Sequence, residues 1–159
     1  MSRRSLFALL ALVMFVTVCS PAFAQRASRE FQPPEDVAYR RADIMSEGSR
    51  LQAEIFAPKA AAGEQLPTII MSHGWGGVAA LLRPEAVYFA QHGYLVVTFD
   101  YRGWGESDGR VILTKAAPSE KSENNSYVAE VREIREVVDP LDQVNDLLTV
   151  LNWVQSEPQ

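Results

Sequence analysis

The sequence predicts an α/β fold built on a parallel sheet, with an antiparallel hairpin at one edge. Three observations carry this expectation. Two short apolar runs, residues 68–71 and Leu95–Phe99, lack the alternation of a half-wet strand and read as strands buried on both faces. Between them, Pro84 and Gly93 have the start and stop positions of a short helix over about residues 84–92. Ahead of both, Leu51, Ala53 and Ile55 alternate with Gln52 and Glu54, the period-2 mark of a strand with one dry face. Strand, glycine loop, helix and strand make a βαβ unit, and such units bind ligands at the carboxyl ends of their strands.

Taken in order, the 159-residue chain opens on a segment outside that fold. Arg3 and Arg4 form a basic head, residues 6–18 are apolar, and Ala22-Phe23-Ala24 is an A-x-A cleavage site. Residues 1–24 therefore read as a secretory signal peptide, which directs the protein to a periplasmic or extracellular location. The apolar core is shorter than the roughly 20 residues of a spanning helix, so no membrane anchor is expected after cleavage. Arg3-Arg4 before Ser5-Leu6-Phe7 also resembles a twin-arginine signal, but the general secretory route has the stronger support. Cys19 lies in the removed segment, which excludes disulfides, thiolate metal sites and a cysteine nucleophile from the mature chain. Without Arg3 and Arg4 the 15 basic side chains become 13 against 20 acidic ones, a formal charge of −7. With no basic cluster, nucleic acid is not an expected partner.

Residues 25–36 are polar and carry Pro33-Pro34, as expected of a flexible leader, and the folded part begins at residue 37. Strands are expected over 37–45 and 51–56, separated by residues 46–50, as a hairpin at the sheet edge. Residues 110–126 read as an exposed polar loop able to overhang a site, and 127–138 fit helix and strand equally. Asp139 is a helix cap and Pro140 a first-turn residue. In the helix that follows, Leu141, Val144, Leu147, Leu148, Leu151 and Val154 recur at i, i+3, i+4 spacing and predict the core-facing side. Asp142, Asp146 and Trp153 fall opposite, on a face expected to be solvated, with Trp153 awaiting a partner.

The motifs now carry a resemblance. His73-Gly74-Trp75-Gly76-Gly77 follows the first apolar run, and Asp100-Tyr101-Arg102-Gly103-Trp104-Gly105-Glu106-Ser107-Asp108-Gly109 follows the second. Together they resemble the α/β-hydrolases, within them the X-Pro dipeptidyl-peptidase-like and dienelactone-hydrolase-like branches. Residues 131–140 and the helix through Trp153 resemble the first branch, so the likeness runs from about residue 38 to the end. It implies that residues 37–159 are the N-terminal portion of an α/β-hydrolase sheet, cut before the nucleophile elbow. It also implies a serine hydrolase, peptidase or esterase, acting on a peptide or small-molecule acyl substrate without a cofactor. The loop after the third strand supplies an N–H donor to the oxyanion in such enzymes. The resemblance assigns that backbone donor to Trp75 or Gly76, with the Trp75 indole walling the acyl pocket.

His73 and His92 read as structural, the latter at a helix C-terminus. Gly105-Glu106-Ser107-Asp108-Gly109 matches the G-x-S-x-G pattern of a nucleophile elbow. The match is formal, because Tyr101-Arg102-Gly103-Trp104 separates it from the strand and no histidine follows Ser107. Nucleophile, acid and base are therefore not expected in this chain, which alone should be inactive, and no metal or cofactor motif stands out. Two other readings remain. Gly74-x-Gly76-x-x-Ala79, with Asp100 ending the next strand, fits a dinucleotide-binding fingerprint. The preceding hairpin, Pro84 and export count against it. An exported, non-catalytic binding or scaffold module on a hydrolase-like half-sheet is the other.

Overall fold

The computed structural model describes residues 31–157, so the expected signal peptide, Cys19 and most of the leader lie outside the described residues. From Pro33 onward the described residues form one compact unit. Asp36, within the expected leader, is tied down: its carbonyl accepts the Lys59 N–H at 2.9 Å and its carboxylate accepts from Gln91 Nε2.

Strands β1 (Val37–Ser46) and β2 (Ser49–Pro58) form the expected antiparallel hairpin. Its connection is only Glu47-Gly48, shorter than the five residues expected. Both adopt left-handed backbone, φ 47° and 86°, as a tight two-residue turn requires to match the twist of the strands. Strand β3 (Thr68–Ser72) leads to helix α1 (Arg83–Gln91), which is followed by β4 (Leu95–Phe99). The sheet order is β1-β2-β4-β3, with β3 and β4 parallel and β2 and β4 antiparallel. Pro84 lies in the first turn of α1, and Gly93, at φ 90°, ends it where only glycine enters that backbone region freely.

Helices cover the two faces. Arg83 of α1 pairs with Glu54, placing α1 on the Glu54 and Phe56 side of β2. On the other side Ile44, Leu51, Ala53, Ile55, Val97 and Phe99 pack with Val150 and Val154 of α2 (Pro140–Ser156). Asp139 caps α2, accepting from the Leu141 and Asp142 amides. Three expectations change here. Strand β3 is an edge strand among the described residues, half-buried along its length rather than enclosed on both faces. Residues 110–126 are not all loop, since β5 (Arg110–Leu113) pairs antiparallel with β6 (Val131–Ile134), and this settles 131–134 as strand.

The third correction concerns α2. Its buried stripe is Asp146, Val150 and Val154, one residue per turn, whereas Leu141, Val144, Leu147, Leu148 and Leu151 are exposed. Asp146, expected in solvent, is fully buried. Its Oδ1 accepts from Arg102 Nε (2.9 Å), Arg102 Nη2 (2.6 Å) and Ser46 Oγ (2.8 Å), and its Oδ2 accepts the Arg102 N–H (3.0 Å). The bond to Asp146 is the chief reason the Arg102 guanidinium is held above its ordinary pKa. Trp153 packs at the core margin with the Arg40 guanidinium 5.5 Å from its ring. Helical periodicity marks which residues share a face but not which neighbour meets it, and a buried ion pair is written in polar letters.

Candidate active site

The two glycine motifs meet at the carboxyl ends of β3 and β4. Beyond Ser72 the chain turns: the Gly77 N–H donates to the Gly74 carbonyl at 3.0 Å, with Trp75 and Gly76 between them. Gly76 takes φ 72°, the left-handed value that the third residue of a type II turn demands. No acceptor meets the N–H of Trp75 or Gly76 among the described residues. The Trp75 side chain is 88% exposed, so within these residues it does not wall a pocket. An apolar cavity of about 300 Å³, lined by Ile55, Leu95, Val97, Trp153 and Val154, lies at the opposite end of the strands.

His73 is buried and structural in its contacts. Its Nδ1 lies 2.9 Å from the Gly74 carbonyl, which can only accept, so Nδ1 carries the proton and Nε2 is left to accept from the Tyr101 N–H at 3.4 Å. Its ring packs edge-on to Tyr101 and against Trp104, centroids at 5.3 and 5.9 Å. His92 Nδ1 lies 2.7 Å from the Tyr88 carbonyl in the last turn of α1.

The hydroxyls of Ser107 and Ser72 both have hydrogen-bond partners. Ser107 is 1% exposed, and its hydroxyl donates to the Asp100 carbonyl (2.6 Å) while accepting the Gln52 N–H (2.8 Å). Ser72 Oγ lies 2.8 Å from the Tyr101 hydroxyl. The turn after β4 is rigidified instead: Arg102 pairs with Asp146, Asp108 with Arg50, and Arg135 donates to the Gly105 and Ser107 carbonyls. A Cβ at Gly105 would run into the Asp100 carboxylate, which is why glycine stands there.

Sequence reasoning gave Asp100 a role only in the dinucleotide reading, as the acid that ends the second strand, and none in the hydrolase reading. In the structure it is buried, with Oδ1 accepting the Ala79 N–H at 2.6 Å and Oδ2 the Glu106 N–H at 3.0 Å. The available signal was an acid directly after a buried strand and before two closely spaced glycines. The dinucleotide reading fails on geometry, because the glycines do not open a helix. A 3-10 turn, Ala79–Leu82, intervenes before α1 starts at Arg83. Among the described residues, no three His, Cys, Asp or Glu side chains group as metal ligands, and no helix is long and apolar enough to cross a membrane.

A family model described as X-Pro dipeptidyl-peptidase (S15 family) matches residues 47–159. Among curated proteins, an uncharacterized 31.7 kDa protein in the traX-finO intergenic region of Escherichia coli is 33% identical over 92 residues, covering 57% of this chain and 24% of that protein. Among solved structures, a hypothetical protein from Pseudomonas aeruginosa matches with a TM-score of 0.59 at 22% identity, over 80% of this chain and 33% of its own. The α/β hydrolase GrgF from Penicillium sp. sh18 matches with a TM-score of 0.56 at 23% identity, over 76% and 33%. The chain thus spans about a quarter of the curated relative and a third of each solved structure. At these identities the structural likeness concerns the fold, and the mixed sheet is that of an α/β hydrolase.

Proposed function

The chain belongs to the X-Pro dipeptidyl-peptidase (S15) family, and from that premise we propose that it is the N-terminal part of an exported serine hydrolase, supplying the loop that binds the carbonyl oxygen. The observation that carries this reading is the pair of uncommitted amides, Trp75 and Gly76, presented at the carboxyl end of β3 by a turn with φ 72° at Gly76. When a serine attacks an acyl carbonyl, negative charge gathers on the oxygen. Fixed N–H donors stabilise that charge without reorganising, and losing one such donor costs roughly 10²–10³ in rate. The substrate class is a peptide or ester acyl group. Export rests on the signal peptide at residues 1–24.

The nucleophile, acid and base belong to sequence outside this chain, which alone is inactive. Ser107 supports that assignment, since a hydroxyl already committed to Asp100 and Gln52 is neither free nor accessible. A further parallel strand would pair along β3, which lies at the sheet edge among the described residues. A parallel neighbour ends at the same side of the sheet as β3, so it would deliver its last residue beside the Trp75 and Gly76 amides.

Treating the purified chain with a fluorophosphonate probe tests the assignment. No covalent adduct is expected; an adduct on Ser72 or Ser107 would sink it. Reading the gene beyond codon 159 gives the complementary result. A G-x-S-x-G after an apolar strand supports the hydrolase, whereas an immediate stop codon favours the non-catalytic binding or scaffold module, a reading that the structural use of Ser107 also fits.

A further inference from the structure

We propose that Asp100 is the positioning residue of the amide site: it clasps the far end of the 73–79 loop and so fixes the direction in which the Trp75 and Gly76 N–H groups point. The inference rests on the oxyanion reading of those amides for its purpose, but not for its geometry. The loop leaves β3 at His73 and is anchored twice, each time on the end of β4. At its start, the His73 ring is held by the Tyr101 N–H and by the faces of Tyr101 and Trp104. At its end, the Ala79 N–H reaches the Asp100 carboxylate at 2.6 Å, a charge-assisted bond in a buried setting. Between these anchors the Gly74 carbonyl gathers the loop, accepting from the Gly77 N–H and from His73 Nδ1, and the two free amides sit inside the Gly74–Gly77 turn.

The second carboxylate oxygen of Asp100 accepts the Glu106 N–H, and its backbone carbonyl accepts from Ser107. The Asp100 side chain therefore bonds to the loop after β3 and to the turn after β4 at once. Gly105 leaves the room that this carboxylate occupies. A carboxylate suits the position because it can accept on both oxygens, whereas an Asn presents a donor on one side and must abandon one of the two N–H groups.

Two variants of the full chain test the clasp. Asp100→Asn disables one of the two acceptors. Ala79→Pro deletes the loop-side donor and sets the ring Cδ where that hydrogen pointed, so the Asp100 carboxylate must draw back as well: Val78 is extended at φ −145°, ψ 157°, which a following proline tolerates, and Ala79 opens the 3-10 turn, where the backbone accepts proline. Amide hydrogen exchange at Gly77 and the ¹H–¹⁵N signals of Trp75 and Gly76 report the loop directly. In Ala79→Pro we expect Gly77 to exchange roughly tenfold faster, with Trp75 and Gly76 shifted or broadened and the β2 and β4 amides unaffected. Asp100→Asn should loosen the 73–79 loop, the 101–109 turn, or both. Asp146→Ala, which weakens the fold without touching the loop, should raise exchange across the core without singling out Gly77. Unchanged Gly77, Trp75 and Gly76 signals in folded Ala79→Pro would overturn the proposal, as would a uniform rise in exchange across the sheet. Because no substrate enters these measurements, loss of the hydrolase reading would leave their result standing.

Discussion

Replacing Asp146 by alanine removes the partner of a buried cation, and the structure lets its cost be worked out. Arg102 and Asp146 side chains are 6% and 0% exposed. The substitution strips the guanidinium of two bonds, leaves the Arg102 N–H without its acceptor and takes one from Ser46 Oγ. Glu47 and Asp142 remain near Arg102 Nη1, at 3.1 and 3.5 Å, but Glu47 is more than half exposed and compensates weakly. Breaking a buried pair from one side costs about 3–5 kcal/mol, which for a domain of this size lowers the melting temperature by on the order of 10–20 °C. Urea titration and thermal melting followed by circular dichroism would measure it. The double variant Arg102→Met with Asp146→Leu should regain roughly 1–3 kcal/mol, because no charge is then stranded, though Ser46 still lacks its acceptor. A loss below about 1 kcal/mol for Asp146→Ala would refute the reasoning, since it would mean that this face of α2 meets water.

The orientation of α2 is tested independently by Val150→Ala, expected to cost about 2 kcal/mol, against Leu148→Glu at a site 50% exposed, expected within about 0.5 kcal/mol; the opposite ranking in urea melts would reverse the helix. Ser107→Ala leaves the buried Gln52 N–H without its partner and should cost about 1–3 kcal/mol by the same melts; no loss would mean that water fills the place. Burial, then the bond to Glu54 and its charge, push the Tyr39 phenol from 10.0 up to about 12. A raised folded-state value means that its contribution is complete below pH 10 and is lost as pH climbs towards 12. Absorbance titration at 295 nm should show one of the five tyrosines ionising late, and Tyr39→Phe should delete that step.

Local signals that depend on near neighbours read correctly from the sequence. Pro84 and Gly93 bracket α1, Asp139 caps α2, and the period-2 run from Leu51 to Ile55 is strand β2, although Gln52 and Glu54 are buried too, so the face read as wet is covered. The glycine motifs placed the candidate site at the ends of β3 and β4, and the formal elbow at Ser107 was discounted from its context alone. What failed depended on remote partners. Strand β6 has only four residues and exists by pairing with β5, across a connection longer than local propensity can judge.

The sequence by itself determined the βαβ unit and the family likeness, because each follows from residue type and short-range spacing. Only the tertiary structure decided that α2 turns Asp146 inward and its leucines outward, since Arg102 and Ser46 reach that carboxylate from 44 and 100 residues away. It alone showed β3 at the sheet edge among the described residues, and Asp100 bonded to both glycine loops. A buried carboxylate and a solvated one are the same letter, and the partners that separate them come from elsewhere in the chain.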